Sequence, residues 1–217
     1  MPKIITILNT KGGAGKTTTV VNLARYLAEE HEVAVADSDP QKSSSNWFAG
    51  KRQRFRIDAA SFRQVQALMT NPQKYKFDYI LIDTPAGLPE QMVRILALGS
   101  DFVIVPTKSS ILDLGPTVQL VKILKDAKVE YKVLLTQVPA QAKSSVDVIK
   151  RILYQRDIVF FKTVIRLLEA NVMAAINKTT VFDMGFEARA ARLDYKLFGQ
   201  EVEQLVRKDI ASKELLA

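Results

Sequence analysis

The stretch Ile4-Ile5-Thr6-Ile7-Leu8-Asn9-Thr10-Lys11-Gly12-Gly13-Ala14-Gly15-Lys16-Thr17-Thr18 decides how the rest of this chain is read. An apolar run sized for one buried strand opens into three glycines, a lysine and two threonines, then into a helical pattern. That order suits a triphosphate. Glycine lets backbone N–H groups turn inward and approach phosphate oxygens at distances a Cβ would hinder. The helix that follows adds unpaired N-terminal N–H groups and the positive end of its dipole. Gly12, Gly13, Ala14, Gly15 and Thr18 are therefore read as nucleotide-binding positions. Lys16 is the point charge for the β- and γ-phosphates, and the Thr17 hydroxyl a ligand for Mg²⁺. The pattern G-x-x-x-x-G-K-[ST] is missed by one residue, because Thr10 stands where its first glycine belongs. What stands is K-G-G-x-G-K-[ST], with an additional lysine, Lys11, at the front of the loop.

Outward from this loop, apolar runs rich in Val and Ile predict strands at 3–9, 32–37, 77–83, 101–106 and 131–138. Helical spacing predicts helices at about 17–29, 62–70, 88–98 and 113–127. Continuous apolar strands alternating with helices imply an α/β fold, a mostly parallel twisted sheet with helices on both faces. At 217 residues one domain over residues 1–217 is expected. From about residue 142 strands become scarce and long helices are expected to the end. Ligands of such sheets bind beyond the carboxyl ends of the strands, where Asp37, Asp39 and Asp83 stand. Asp83 ends an apolar run, so it either faces a cation, directly or through water, or caps the next turn. Asp37 and Asp39 are two apart, on one side of an extended segment; Asp39 before Pro40 also suits a plain turn. Ser43-Ser44-Ser45 reads as part of a nucleotide-sensing loop rather than a linker.

Composition narrows the chemistry. The chain has no cysteine, which excludes disulfides, thiolate nucleophiles and iron–sulfur clusters, and a single histidine, His31, which leaves imidazole catalysis little to work with. No apolar run reaches membrane-spanning length and the N-terminus enters a strand directly, so a cytoplasmic protein is expected. A Mg²⁺-dependent chemistry with oxygen ligands remains. The net charge of +8 suits a polyanionic partner.

The lysine-bearing loop resembles that of the ParA/MinD group of deviant Walker A ATPases, a branch of the P-loop NTPases. The resemblance continues through Asp37-Ser38-Asp39-Pro40-Gln41 and through Ile82-Asp83-Thr84-Pro85-Ala86-Gly87 to Val103-Ile104-Val105-Pro106-Thr107. It is strong to about residue 140 and weaker beyond. It implies an ATPase using ATP and Mg²⁺, with Lys11, Lys16 and Asp39 as catalytic residues. Lys11 would reach across a homodimer to the partner's nucleotide, since two lysines on one triphosphate are redundant within a single subunit. Asp37 would serve the outer shell of the metal, Asp39 would position the attacking water, and Gly87 would offer an N–H to the γ-phosphate. Phosphoryl transfer of this kind rests on positioning and charge neutralisation, so no strong base is needed. For adenine the candidates are Pro106, Thr107 and the segment Thr136-Gln137-Val138-Pro139.

The same resemblance implies nonspecific DNA binding by basic residues of the C-terminal half: Lys143, Lys150, Arg151, Lys162, Arg166, Arg189 and Arg192. A second basic run, Lys51, Arg52, Arg54, Arg56, Arg63, Lys74 and Lys76, is opposed only by Asp58 and is a competing DNA face or a docking site. An adaptor protein, ParB-like or McdB-like, would stimulate hydrolysis, and the protein would be nucleoid-associated. The cargo is read first as a plasmid and second as a protein body such as a carboxysome. The chain begins at the first strand, so an N-terminal helix-turn-helix domain is not expected. A MinD-like membrane regulator would need a basic amphipathic end, which Val206–Ala217, without aromatics and with Asp209 and Glu214, does not supply. A metabolic phosphotransferase would not need Lys11 across an interface.

Overall fold

The computed structural model describes residues 1–48, 51 and 53–214, the side chains of residues 143 and 207–214 excepted. Arg52 and the end of the tail thus lie outside the described residues.

Six strands form one sheet: β1 Lys3–Ile7, β2 Val33–Asp37, β3 Arg56–Ala59, β4 Tyr79–Asp83, β5 Phe102–Lys108 and β6 Tyr131–Thr136. Their order is β3-β2-β4-β1-β5-β6 and every pair is parallel. The helices are α1 Lys16–Leu27, α2 Ser43–Trp47, α3 Phe62–Thr70, α4 Glu90–Leu98, α5 Ile111–Asp126, α6 Lys143–Gln155, α7 Glu169–Ile176 and α8 Arg189–Glu214. Alternate residues of the central strands go to opposite faces, as the period of two requires. Ile5, Ile7, Val35 and Leu81 cluster with Leu23 of α1 and Phe198 of α8. Ile4, Ala36, Ile80 and Ile82 cluster instead with Leu68 of α3 and Leu96 of α4. A third cluster joins Val103, Val105, Val133 and Leu135 to Leu120 of α5 and Leu153 of α6. Burying both faces explains why these strands read as continuous apolar runs.

The expected strands and helices are present with their ends adjusted. β1 stops at Ile7 and β6 at Thr136. β5 instead runs on to Lys108. α5 begins two residues early, at Ile111, because the Ser110 side chain accepts from the N–H of Leu112. Two elements are additional. β3 is a mostly exposed edge strand, Arg-Ile-Asp-Ala, with no apolar run to announce it. α2 is a five-residue helix made of poor helix formers and held by tertiary contacts.

The tail is less purely helical than expected. Residues 159–167 run along the free edge of β6: Phe161 N–H donates to Val133 O, Ile165 N–H to Leu135 O and Leu167 N–H to Val138 O. This segment carries residues 165–168 to the mouth of the phosphate loop. Among the described residues no helix is long and apolar enough to cross a membrane.

Candidate nucleotide site

The loop between β1 and α1 is held from outside, so that its N–H groups face inward. Thr136 Oγ1 donates to Ala14 O at 2.8 Å and Gln137 Nε2 to Gly13 O at 2.7 Å. Asn9 bridges the loop to β5, donating to Pro106 O at 2.7 Å and accepting from the Lys11 N–H at 2.9 Å. With these carbonyls engaged on the outer side, the loop presents donors to the cleft, the arrangement that binds anions. Gly13 and Gly15 have φ of +68° and +85°, a left-handed backbone that glycine alone adopts freely. Gly15 is also the N-cap of α1 and no side chain caps that helix, so its first-turn N–H groups are open to a phosphate.

Lys16 is buried at the root of the loop, and its ammonium donates to Lys11 O at 3.2 Å. Burial pulls its pKa down, opposed by the charges of Asp83 and Asp39, which therefore share its cleft. Asp37 and Asp83 are register partners on β2 and β4. Asp83 is fully buried, and neither of its carboxylate oxygens has a hydrogen bond. Burial raises its pKa to about 7, against the nearby Thr17 and Ser44 hydroxyls and Lys16, which lower it. A sealed, orphaned carboxylate beside a threonine hydroxyl fits Mg²⁺, which is bound by one or two carboxylates together with substrate phosphates. Among the described residues no group of three acidic or imidazole side chains forms a cage of its own. Asp37 is different: its oxygens accept the N–H of Asp39 at 3.1 Å and of Ser45 at 2.7 Å, which suits an outer-shell part.

The expected extended segment from Asp37 to Asp39 is replaced by a turn closed by that Asp39 N–H bond. Asp39 nevertheless stays near the site, its carboxylate accepting from Gln41 N–H at 2.9 Å and Ser43 Oγ at 3.1 Å. Gly87 has φ +68° as a glycine turn, but its N–H donates to Thr10 O at 2.8 Å. It reaches a γ-phosphate only after that bond opens. Lys11 is half-exposed on the rim and paired with Asp113 of α5.

A cavity of about 340 Å³ adjoins the loop, lined by Gly15, Thr18, Thr136, Gln137, Trp47 and residues 165–168 among others. Its size and mixed lining suit a nucleoside. Thr136 and Gln137 were expected there. Pro106 and Thr107 do not line it: Pro106 O is taken by Asn9, and the buried Thr107 hydroxyl pairs with Thr117 at 3.0 Å. The cavity wall from the tail carries no motif, so the sequence did not reveal it. Lys108 was also overlooked. Its ammonium lies 3.5 Å from where a Cβ on Gly13 would stand, and a lysine at a strand tip beside the loop was the available signal.

The expected DNA residues separate. Arg151, Lys162 and Arg189 are exposed, and Lys150 donates to Lys162 O at 2.9 Å, which makes α6 and residue 162 one basic patch. Arg166 is engaged elsewhere: its guanidinium holds Asp194 at 2.7 Å and lines the cavity beside the loop. So is Arg192, which donates to Val181 O at 3.1 Å and Gly185 O at 3.0 Å to fix the turn before α8. The Lys143 side chain lies outside the described residues.

Residues 5–181 match the family described as the CobQ/CobB/MinD/ParA nucleotide binding domain. The chain is 30% identical over 209 residues to the maintenance of carboxysome distribution protein A of Gloeobacter kilaueensis, covering 95% of this chain and 97% of that protein. Its fold superposes on apo McdA from Cyanothece with a TM-score of 0.76 at 16% identity, covering 93% of this chain and 99% of that one. MinD from Pyrococcus horikoshii, solved with Mg-ADP, gives a TM-score of 0.75 at 21% identity over 96% of this chain and 99% of that one. The chain belongs to the CobQ/CobB/MinD/ParA nucleotide-binding family and is one of its ParA- and McdA-like ATPases.

Proposed function

We propose that this protein hydrolyses ATP with Mg²⁺, pairs face to face with a second copy while ATP is bound, and in that state holds nonspecific DNA. It would position a cargo through an adaptor that stimulates hydrolysis. Lys16, the loop N–H groups and the α1 terminus bind the phosphates; Thr17 and Asp83 hold the metal, with Asp37 behind them. Bound Mg²⁺ would neutralise charge on the β- and γ-phosphates. Asp39 orients water toward the γ-phosphate, and opening of the Gly87–Thr10 bond frees an N–H for it. The DNA patch is Lys150, Arg151 and Lys162, whose cations meet phosphates without reading bases. A protein body is favoured as cargo over a plasmid, because the relative matched along nearly the whole chain is named for carboxysome distribution.

The observation that carries this reading is the position of Lys11. Lys16 already fills the phosphate-facing place inside the cleft, whereas Lys11 sits on the rim beside Asp113. Lys11→Ala is expected to keep nucleotide binding by the monomer, lose the ATP-dependent dimer and with it most DNA affinity, since two joined surfaces bind far more tightly than one. Light scattering and DNA mobility shifts with ATP, at moderate salt, decide it. A variant that still dimerises and shifts DNA would sink the paired-subunit mechanism and favour a metabolic phosphotransferase.

A further inference from the structure

Three consecutive serines in α2 attend three different carboxylates. Ser43 Oγ donates to Asp39 Oδ2 at 3.1 Å, and Ser45 N–H donates to Asp37 Oδ2 at 2.7 Å. Between them Ser44 is fully buried, its hydroxyl has no hydrogen-bond partner, and it lies beside the orphaned carboxylate of Asp83. Successive residues of a helix point about 100° apart, so such a short helix reaches three acids only by lying across the tips of β2 and β4. Its far end is fixed as well. Trp47 Nε1 donates to Thr179 O at 2.8 Å, and its ring lines the nucleoside cavity. The helix begins at Lys42 in a left-handed conformation with φ 52° and has no side-chain cap. Asp39 O accepts from that same Lys42 N–H at 2.8 Å, which joins the helix directly to the Asp39 turn.

We propose that α2 is the positioning element of the hydrolysis step, in which Ser44 is a further hydroxyl of the Mg²⁺ site and Ser43 sets the orientation of Asp39. The inference rests on the ATPase reading above. A buried carboxylate whose nearest partners are neutral hydroxyls is costly unless a cation joins them. Asp83 is such a group, with the Ser44 and Thr17 hydroxyls beside it. Occupancy there fixes Ser44. The adjacent Ser43 already holds Asp39 without the metal, so its carboxylate is placed for water before hydrolysis begins. The chemistry is unchanged by this: Asp39 orients, and Ser43 and Ser44 position.

The test uses the full chain and its single tryptophan, Trp47, as a fluorescent reporter of the nucleoside cavity. Ser44→Ala is expected to raise the Mg²⁺ concentration at half-change of Trp47 fluorescence, at saturating ATP, about five- to tenfold, the weight of one hydrogen bond. ATP binding in EDTA should be unaltered. Ser43→Ala is expected to lower kcat about five- to tenfold at constant KM, with recovery in Ser43→Thr, which restores the hydroxyl. An unmoved Mg²⁺ midpoint in Ser44→Ala overturns the metal-site part. A KM that rises with the kcat loss, or failure of threonine to rescue, overturns the positioning part. A wild-type protein showing neither a Mg·ATP-dependent fluorescence change nor hydrolysis would instead remove the ATPase reading itself.

Discussion

The root and the rim of the phosphate loop each carry a lysine, and the fold treats the two oppositely. Lys16 is taken out of water, bonded to a loop carbonyl, and its charge is weakened by burial while Asp83 and Asp39 support it. Lys11, five residues earlier, stays half-exposed and is paired with Asp113, a side chain from a different element. The root is built within one chain, where strand, loop and helix surround Lys16. The rim differs, since its cation is half-exposed and meets a counterion from α5. A residue built into a pocket should show its worth in nucleotide affinity; one parked on an edge should show it in association.

The largest effect belongs to the root. Lys16→Ala removes the buried ammonium proposed to face the phosphates and should cost about 4 kcal/mol, roughly a thousandfold in ATP affinity, as for two charge-assisted hydrogen bonds. Titration calorimetry with ATP and Mg²⁺ measures it. Near-native affinity would mean that Lys108 or Lys11 supplies the charge, and the contrast between root and rim would collapse.

The acid opposite Lys16 sharpens the same contrast through pH. Unfolded, Asp83 gives up its proton near 3.8; folded and without ligand, near 7. Between those values the folded state binds the extra proton, so stability falls as pH rises through the window and levels off above 7. From pH 5.5 to 7 that amounts to about 2 kcal/mol. Asp83→Asn, in which no charge is buried, should lose this slope in Tm and be the more stable protein at pH 8 without nucleotide. It should also lose the additional ATP affinity that Mg²⁺ confers. A wild-type Tm that is flat or rises from pH 5.5 to 7 would show that the site satisfies its carboxylate already.

What could be read in the sequence follows the same division. The root was legible because its chemistry is contiguous: Gly12 to Thr18 run from one loop into the first turn of α1, and Asp37 and Asp83 terminate apolar runs. Asp39 was placed, although the turn that orients it was not, because an Asx bond leaves no periodicity. Contacts made across sequence distance were hidden. Asp113 reads as one more acid in a helical pattern, and Ser43-Ser44-Ser45 as a polar run, until β2 and β4 bring three carboxylates beneath them. Arg166 and Arg192 read as free cations because nothing local announces Asp194 or the carbonyls of Val181 and Gly185. β3 was invisible for a related reason: as an exposed edge strand it needs no apolar face.

The smallest effect belongs to the rim and tests it most directly. Under the proposed pairing Lys11 would serve a second copy's phosphate only after leaving Asp113, so Asp113 would compete with association. Asp113 is nearly buried and stands in the first turn of α5, where its charge favours the helix terminus, so its removal should lower the Tm slightly. Yet Asp113→Ala should strengthen the ATP dimer, because Lys11 no longer gives up a local partner. Partly exposed pairs are worth about 0.2–1 kcal/mol each and a dimer releases two, so the protein concentration at half-dimerisation should fall about two- to thirtyfold. Added salt should shrink that gain by screening the pair in the wild type. In a Lys11→Ala background the substitution should give no gain, since there is no lysine to release. Sedimentation of the four proteins with ATP completes the cycle. A dimer weakened by Asp113→Ala, with Lys11 present, would place Asp113 in the interface itself and make the pair part of the assembled state.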